Sequence, residues 1–538
     1  MLKIFNGQSK TITGAAIVIA GATLINKFVG LARDRAIAHY FGAGPVTDAY
    51  YAAFKIPDFI YTLLVVGALT AGFIPTFTKL FVRNDNKDAA WKLSSNILNI
   101  LFIILVPLCG AGAFFAPYIA KIVGAGFSEE TLRLVTVFTR ILFISPIFLG
   151  MSMVMGGILQ SLRRFVLYSI APIFYNAGII FGAMVLVPLI GVSGLAWGVV
   201  IGALAHFCIQ FIGARQAGFH WQMLVDWRDK DMLLVGRLMV PRSMGLAASQ
   251  VYTVIVTILA SLLPAGSVAA FTFADNLYSV PVGIIGTSFA IAIFPALSLA
   301  VAQNNKNEFR ESLSATIRQT SFLIIPCALI FLLLREQIVR VVLGSGAFDW
   351  NATQNTSNAL AIFSFSMLAD CFQPILVRGF FALSDTKTPL LISLISEIAG
   401  IGCAYVLMQR FGIMGLAAAG FIEGGTNVAL LMYFLQRKNK GLNLRSIFSA
   451  LGRILAATIP AGAAIYFLLP LLAKIFDQTH FIGVFGQGLV AGLAGLVIYV
   501  FLCYILKLPE LHSLTASLQR RWLKLRNIET TELIETQE

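Results

Sequence analysis

Apolar runs long enough to cross a bilayer, each of about 20 residues or more, recur along nearly the whole chain and are separated by short polar stretches. The runs predict about fourteen helices, near 11–41, 47–82, 90–123, 129–160, 165–189, 192–217, 231–263, 267–303, 309–344, 352–383, 388–410, 413–436, 446–473 and 481–506. The connections alternate in character. One set is basic, as at Lys79, Arg83, Lys87 and Lys92, at Arg215, Arg228 and Lys230, and at Arg437, Lys438, Lys440 and Arg445. The other set, including GAGPVTD, GAGFSEE, PLIGVSG, LLPAGSVA and GAFDWNATQ, is small, neutral or acidic. Positive charge collects on the cytoplasmic side of membrane proteins, so both termini are expected there.

Composition agrees: 58% of residues are hydrophobic, 12% are charged and the mean hydropathy is +0.84, which leaves no room for a large water-soluble domain. The net charge of +14 follows the alternate loops and so reports topology and contact with membrane lipids rather than a nucleic-acid partner. The fold class expected is an all-α polytopic membrane protein. The first apolar run is longer than the core of a cleavable signal peptide and continues into charged helical sequence, so no such peptide is expected.

A second regularity is an internal repeat displaced by about 220 residues. FIPTFTKL (73–80) matches IFPALSLA (293–300), GAGF (124–127) matches GSGAF (344–348), Pro107 answers Pro326, Gly157 answers Gly379, and GVSGLAWG (191–198) answers GIMGLAAA (412–419). Six crossings return the chain to its starting side, so the two six-helix lobes are parallel repeats, the plan of two-lobed transporters. The division expected is an N-terminal lobe over 1–222, a C-terminal lobe over 229–440, two additional helices over 444–508 and a cytoplasmic tail over 509–538. In the tail, Leu511, Leu514, Leu518, Trp522 and Leu525 stand at helical spacing against Arg520, Arg521, Lys524 and Arg526, the pattern of a basic amphipathic helix on a membrane surface.

Several chemistries lack their parts. The five His residues are scattered, the six Cys lie singly in apolar runs, and no HExxH, CxxC or phosphate-binding GxxxxGK[ST] motif is present. No catalytic residues, metal site or cofactor are expected, and the chain reads as a transporter rather than an enzyme. What stands out instead is charge at membrane depth. Lys27, Arg33, Asp34, Arg35, Asp48 and Lys55 fall in the first two spans, where each costs about 2.5–3.5 kcal/mol unless it faces a protein interior or a wet cavity. A polar cavity within the bilayer is implied.

The segment NKFVGLARDRAIAHYFGAGPVTDAYYAAFKIP (26–57) resembles the N-terminal signature of the lipid II flippase family of the multidrug/oligosaccharidyl-lipid/polysaccharide exporter superfamily. FADNLYSVPVGIIGTSFAIAIFPALS (273–298) and VRGFFALSDTKTP (377–389) are similar to two further family segments. The resemblance implies translocation of an undecaprenyl-pyrophosphate-linked glycan, in that family lipid II, from the inner to the outer leaflet of the bacterial inner membrane by alternating access. It also implies roles in peptidoglycan biosynthesis and cell shape, with the chain acting as a monomer. The alternatives are a flippase for another undecaprenyl-linked glycan, a drug/ion antiporter of the same superfamily, and a non-transporting scaffold for cell-wall assembly.

Under that resemblance the substrate-binding candidates are Lys27, Arg33, Asp34, Asp48, Lys55, Arg242, Asn276 and Arg378. Pyrophosphate is a dianion best held by Arg forks and Lys charges in a low-dielectric cavity. Arg33 with Lys27 is a candidate clamp, Asp34 and Asp48 are candidates to hold those cations, and a fixed Arg33–Asp34 pair is the structural alternative. Arg35 and His39 are expected to reach the membrane interface. The chain departs from the family pattern at Lys27, Tyr61, Val66 and Asn276, the last three standing where the family has Arg, Glu and Arg; Arg242 is a candidate compensating base. Glu397 and Glu423, with Ser393, Thr426 and Asn427 near in sequence, are candidates for coupling to Na⁺ or H⁺.

Overall fold

A computed structural model describes residues 12–66, 72–83, 86–439, 441–513 and 515, without the side chains of 12–17, 82–83, 240–242, 244 and 439. The described residues are helical almost throughout and contain no strand. In chain order the helices are α1 (Ile12–Phe41), α2 (Pro45–Tyr61), α3 (Ile74–Thr78), α4 (Lys87–Phe114), α5 (Ala116–Val123), α6 (Glu129–Leu142), α7 (Ser145–Ser161), α8 (Phe165–Phe181), α9 (Val187–Ile190), α10 (Ser193–Gln216), α11 (Lys230–Ser261), α12 (Ser267–Ala302), α13 (Lys306–Leu333), α14 (Arg335–Val342), α15 (Trp350–Ala382), α16 (Lys387–Asn439), α17 (Leu444–Leu472) and α18 (Phe481–Ile505). Among the described residues, eleven helical segments are long and apolar enough to cross a membrane. That count omits α1 and α11 and takes Lys387–Lys438 as one segment, although Gly412, at φ 55°, breaks α16 in a conformation that costs glycine little. Of the amphipathic helix expected in the tail, Leu511 is described and packs against the interior of the second unit, while Leu514, Leu518, Trp522, Leu525 and the basic residues lie outside the described residues.

Local chemistry sets the helix starts. Asn86, Ser128, Asp229, Asn305 and Asn443 each accept a hydrogen bond from a backbone N–H one turn into the helix that follows. The repeat is visible in element lengths: α4 and α13 both have 28 residues, and α5 and α14, which follow them, both have 8. Pro107 in α4 and Pro326 in α13 occupy corresponding places.

The chain forms two compact units. The first comprises 1–277, 342–359 and 393–423; the second comprises 278–341, 360–392 and 424–538. The interior of the first is built around Phe73, Phe77, Trp91, Leu105, Met155 and Ile158, and that of the second around Leu297, Phe309, Leu313, Ile317, Leu376 and Phe380. In the first unit α8 and α10 meet backbone to backbone. A Cβ at Gly178 would fall 2.3 Å from Gly202 Cα, and one at Gly198 would fall 2.5 Å from Gly182 Cα. Gly178 with Gly182, the residue just after α8, and Gly194, Gly198 and Gly202 of α10 have the GxxxG spacing that permits such an approach, which matters in lipid, where packing rather than hydrophobic transfer joins helices.

Candidate functional site

Within the first unit a cavity of about 440 Å³ opens between α1, α2, α8 and the beginning of α12. Its charged lining is Arg33, Lys55, Asp58 and Asp275, and Tyr50, Tyr51, Tyr61, Tyr175, His206, Thr272 and Asn276 complete its polar wall. The volume falls in the range of small-molecule sites.

Arg33 is held from two sides. Its Nε and Nη2 donate to Asp34 Oδ1 at 2.9 and 2.7 Å, and Nη1 donates to Asn176 Oδ1 at 3.0 Å. Asn176, on α8, in turn donates to Asn26 Oδ1 at 3.0 Å. The remaining Asp34 oxygen accepts from Asn276 Nδ2 at 3.0 Å, and Asp34 is 2% exposed. A guanidinium has five N–H groups. Three are engaged among the described residues, which leaves two unengaged on a side chain that lines the cavity. The fixed pair and the clamp are therefore compatible: Asp34 orients the fork, and one N–H on each of Nη1 and Nη2 is unengaged among the described residues.

Lys55 interacts through space with both Asp58 and Asp275, and Lys27 with Asp275 and Arg33. Lys27, Lys55, Asp58 and Asp275 form no direct ion pair among the described residues. A lysine balanced between two carboxylates can exchange partners at little cost, which suits a site that fills and empties. His206, on α10, is fixed by a 2.7 Å contact between its Nδ1 and Ser152 Oγ.

The structure brings Arg33, Asp34, Lys55 and Asn276 together and leaves other candidates elsewhere. Lys27 stands half-buried beside the cavity and does not line it. Asp48 is not poised over the cations: its two oxygens accept from the backbone N–H groups of Gly266 at 2.5 Å and Ala269 at 2.7 Å. It caps the N-terminus of α12, where the helix dipole and unpaired N–H groups favour a carboxylate. Arg35 donates to the carbonyl of Val342, the last residue of α14 and part of the same unit, at 3.3 Å, so it is held within the unit instead of reaching outward. Arg378 belongs to the second unit, with its guanidinium 5.2 Å from the Phe294 ring centre. Arg242 lies on α11, and its side chain is outside the described residues. Tyr61 lines the cavity, whereas Val66 ends a π-helical turn after α2 and does not.

Of the coupling-ion candidates, Ser393, Glu397 and Glu423 fall in the first unit and Thr426 and Asn427 in the second. Gly400 makes room for Glu423: a methyl at 400 would stand 2.8 Å from its Cβ. Among the described residues no cluster of three or more His, Cys, Asp or Glu could hold a metal ion.

Sequence reasoning passed over Asp58, Asp275, Asn176 and the tyrosine wall. A usable signal existed for the two carboxylates, which interrupt apolar spans just as Arg33 does. Asn176 offered none, because a neutral amide in a membrane helix is common.

A helical membrane fold around a charged internal cavity defines a polytopic transporter, and solved structures share it. A multidrug resistance MATE family transporter of the MOP superfamily, inward-facing, aligns with TM-score 0.64 at 16% identity over 81% of this chain and 99% of its own. A lipid II flippase MurJ in an inward closed conformation aligns with TM-score 0.74 at 22% identity over 91% and 98%. A family profile described as lipid II flippase MurJ matches residues 37–486, and the chain belongs to that family. The probable lipid II flippase MurJ of Vibrio cholerae serotype O1 is 28% identical over 450 residues, 82% of this chain and 84% of its own length.

Proposed function

We propose that this chain flips lipid II, the undecaprenyl-pyrophosphate-linked peptidoglycan precursor, from the inner to the outer leaflet of a bacterial inner membrane by alternating access. Family membership supports the substrate class. The observation that carries the reading is Arg33, which lines the cavity, braced by Asp34 and Asn176 with two of its N–H groups unengaged among the described residues. A pyrophosphate entering there takes the free edge of the fork and draws Lys55 from Asp58 and Asp275. Leaving, it returns Lys55 to those carboxylates, so the empty cavity is not left with uncompensated charge. On this reading no bond is made or broken and the chain is not an enzyme. It works as a monomer with both termini in the cytoplasm, as its basic loops favour. Na⁺ or H⁺ coupling through Glu397 and Glu423 fits their place in apolar helices.

The second reading, a different undecaprenyl-linked glycan, rests on Tyr61 in the cavity wall where the resemblance leads one to expect Arg. Complementation separates the two. The gene should restore growth to a bacterium depleted of its own lipid II flippase, while purified protein should bind undecaprenyl pyrophosphate more tightly than the monophosphate. Binding without rescue would favour the second reading. Equal affinity for a neutral lipid would reject both.

A further inference from the structure

The connection from α10 to α11 is a non-helical strap tied to α4. Asn99 Nδ2 donates to the carbonyls of Gln222 and Leu224 at 2.9 and 2.8 Å. Asn96 exchanges two 2.8 Å bonds with the backbone of Asp226, and Ser95 Oγ accepts from Gln222 N at 3.1 Å. Side chains of α4 thus do for the strap what a neighbouring strand would do. They also account for polar residues in an otherwise apolar helix.

Tied down in this way, the strap still leaves four apolar side chains exposed. They are Trp221, Met223, Val225 and Trp227, at 48%, 89%, 46% and 51% exposure; the Trp221 indole N–H donates to Asn99 Oδ1 at 2.8 Å, which holds one edge of that ring to α4 and leaves the rest outside. Four large apolar groups in a row on one exposed edge are costly in water.

The depth of the strap follows from the length of α4. Crossing about 30 Å of hydrocarbon takes about 20 helical residues. Counted back from Phe114, the apolar far end of α4, that length reaches Ser95, the first residue bonded to the strap. The strap therefore lies at the edge of the hydrocarbon. Exposed Lys92, Arg215, Arg228 and Lys230 stand around it, at the level of lipid phosphates. We propose that the 221–227 edge is an interfacial anchor docked into the bilayer, with Trp221 and Trp227 at the headgroup boundary and Met223 and Val225 against the acyl chains.

The test uses the full chain in phospholipid vesicles whose acyl chains carry bromine near the head or near the end. Fluorescence of the wild type minus that of Trp227→Phe isolates one indole. The anchor predicts that this signal is quenched at least about twofold more by shallow bromine than by deep bromine, and is little affected by aqueous acrylamide. Quenching by acrylamide but not by bromolipid places the edge in water and overturns the proposal. Indifference to both quenchers means that protein covers the edge, which also overturns it. If Trp227→Phe does not fold, Met223→Cys carrying an environment-sensitive dye gives the same three readings, since Met223 is almost wholly exposed.

Discussion

At Arg33 three N–H groups hold Asp34 and Asn176, so removing the side chain strands a carboxylate that is 2% exposed. Breaking such a pair costs about 3–5 kcal/mol, and loss of function in Arg33→Ala would then mix folding with binding. Lys55 gives a cleaner test because it forms no direct ion pair among the described residues. Lys55→Met should keep the melting temperature near that of the wild type and weaken pyrophosphate-lipid binding about ten- to a hundredfold, the worth of one charged hydrogen bond. Arg33→Lys should retain part of the binding, since charge survives without the fork. For Arg242, alanine should abolish flipping in folded protein and lysine should restore part of it, if that base replaces charge lost at Tyr61 and Asn276. Flipping and thermal stability measured on the same variants decide the point. Outside the membrane spans, burial pushes the Asp385 carboxyl up, but the Lys438 ammonium at 2.6 Å and two hydrogen bonds from Thr388 outweigh it and hold it at about 2. A carboxyl lowered on folding stabilises above its unfolded value of about 4 and loses that contribution as pH falls toward 2. Melting temperature should fall over that window in the wild type, and Asp385→Asn should flatten that part of the fall.

Among elements, the α8–α10 contact makes the sharpest demand on sequence. Gly198→Leu would drive a side chain into Gly182 Cα and should destabilise by more than the about 1–3 kcal/mol typical of overpacking, because backbone cannot step aside. Gly236→Ala, with nothing within 4 Å of its new Cβ, should instead be neutral or stabilise α11 by about 0.5–1 kcal/mol. Thermal melts of the two variants in one detergent make the comparison. The helices themselves were legible because apolar length is a strong signal, and Gly412 marked the break in α16 through its match to Gly191. The role of Asp48 was not legible. A carboxylate that caps a helix starting more than two hundred residues later looks, in sequence, the same as one waiting for a cation. Ser95, Asn96 and Asn99 are the converse case: polar residues in an apolar run were the one trace of the strap they hold, and their partners lay far along the chain.

On the scale of the whole molecule, charge at membrane depth gave away the cavity before any geometry was known, since Arg33, Asp34, Lys55 and the polar Asn276 meet there. The anions that balance them, Asp58 and Asp275, sat in the same segments and were obscured by their more conspicuous neighbours. Orientation can be checked apart from transport: cysteines placed at 228 and 438 should label from the cytoplasm and at 127 and 349 from outside, and labelling of 127 from the cytoplasm would reverse the topology. The most direct measurement of the central claim is lipid II translocation by purified protein in proteoliposomes, comparing wild type with Lys55→Met and Arg33→Lys. The account predicts transport by the wild type, slower transport by both variants, and inhibition by undecaprenyl pyrophosphate. Full-rate transport by both variants, or none by folded wild type given lipid II under an imposed Na⁺ or H⁺ gradient, would contradict it.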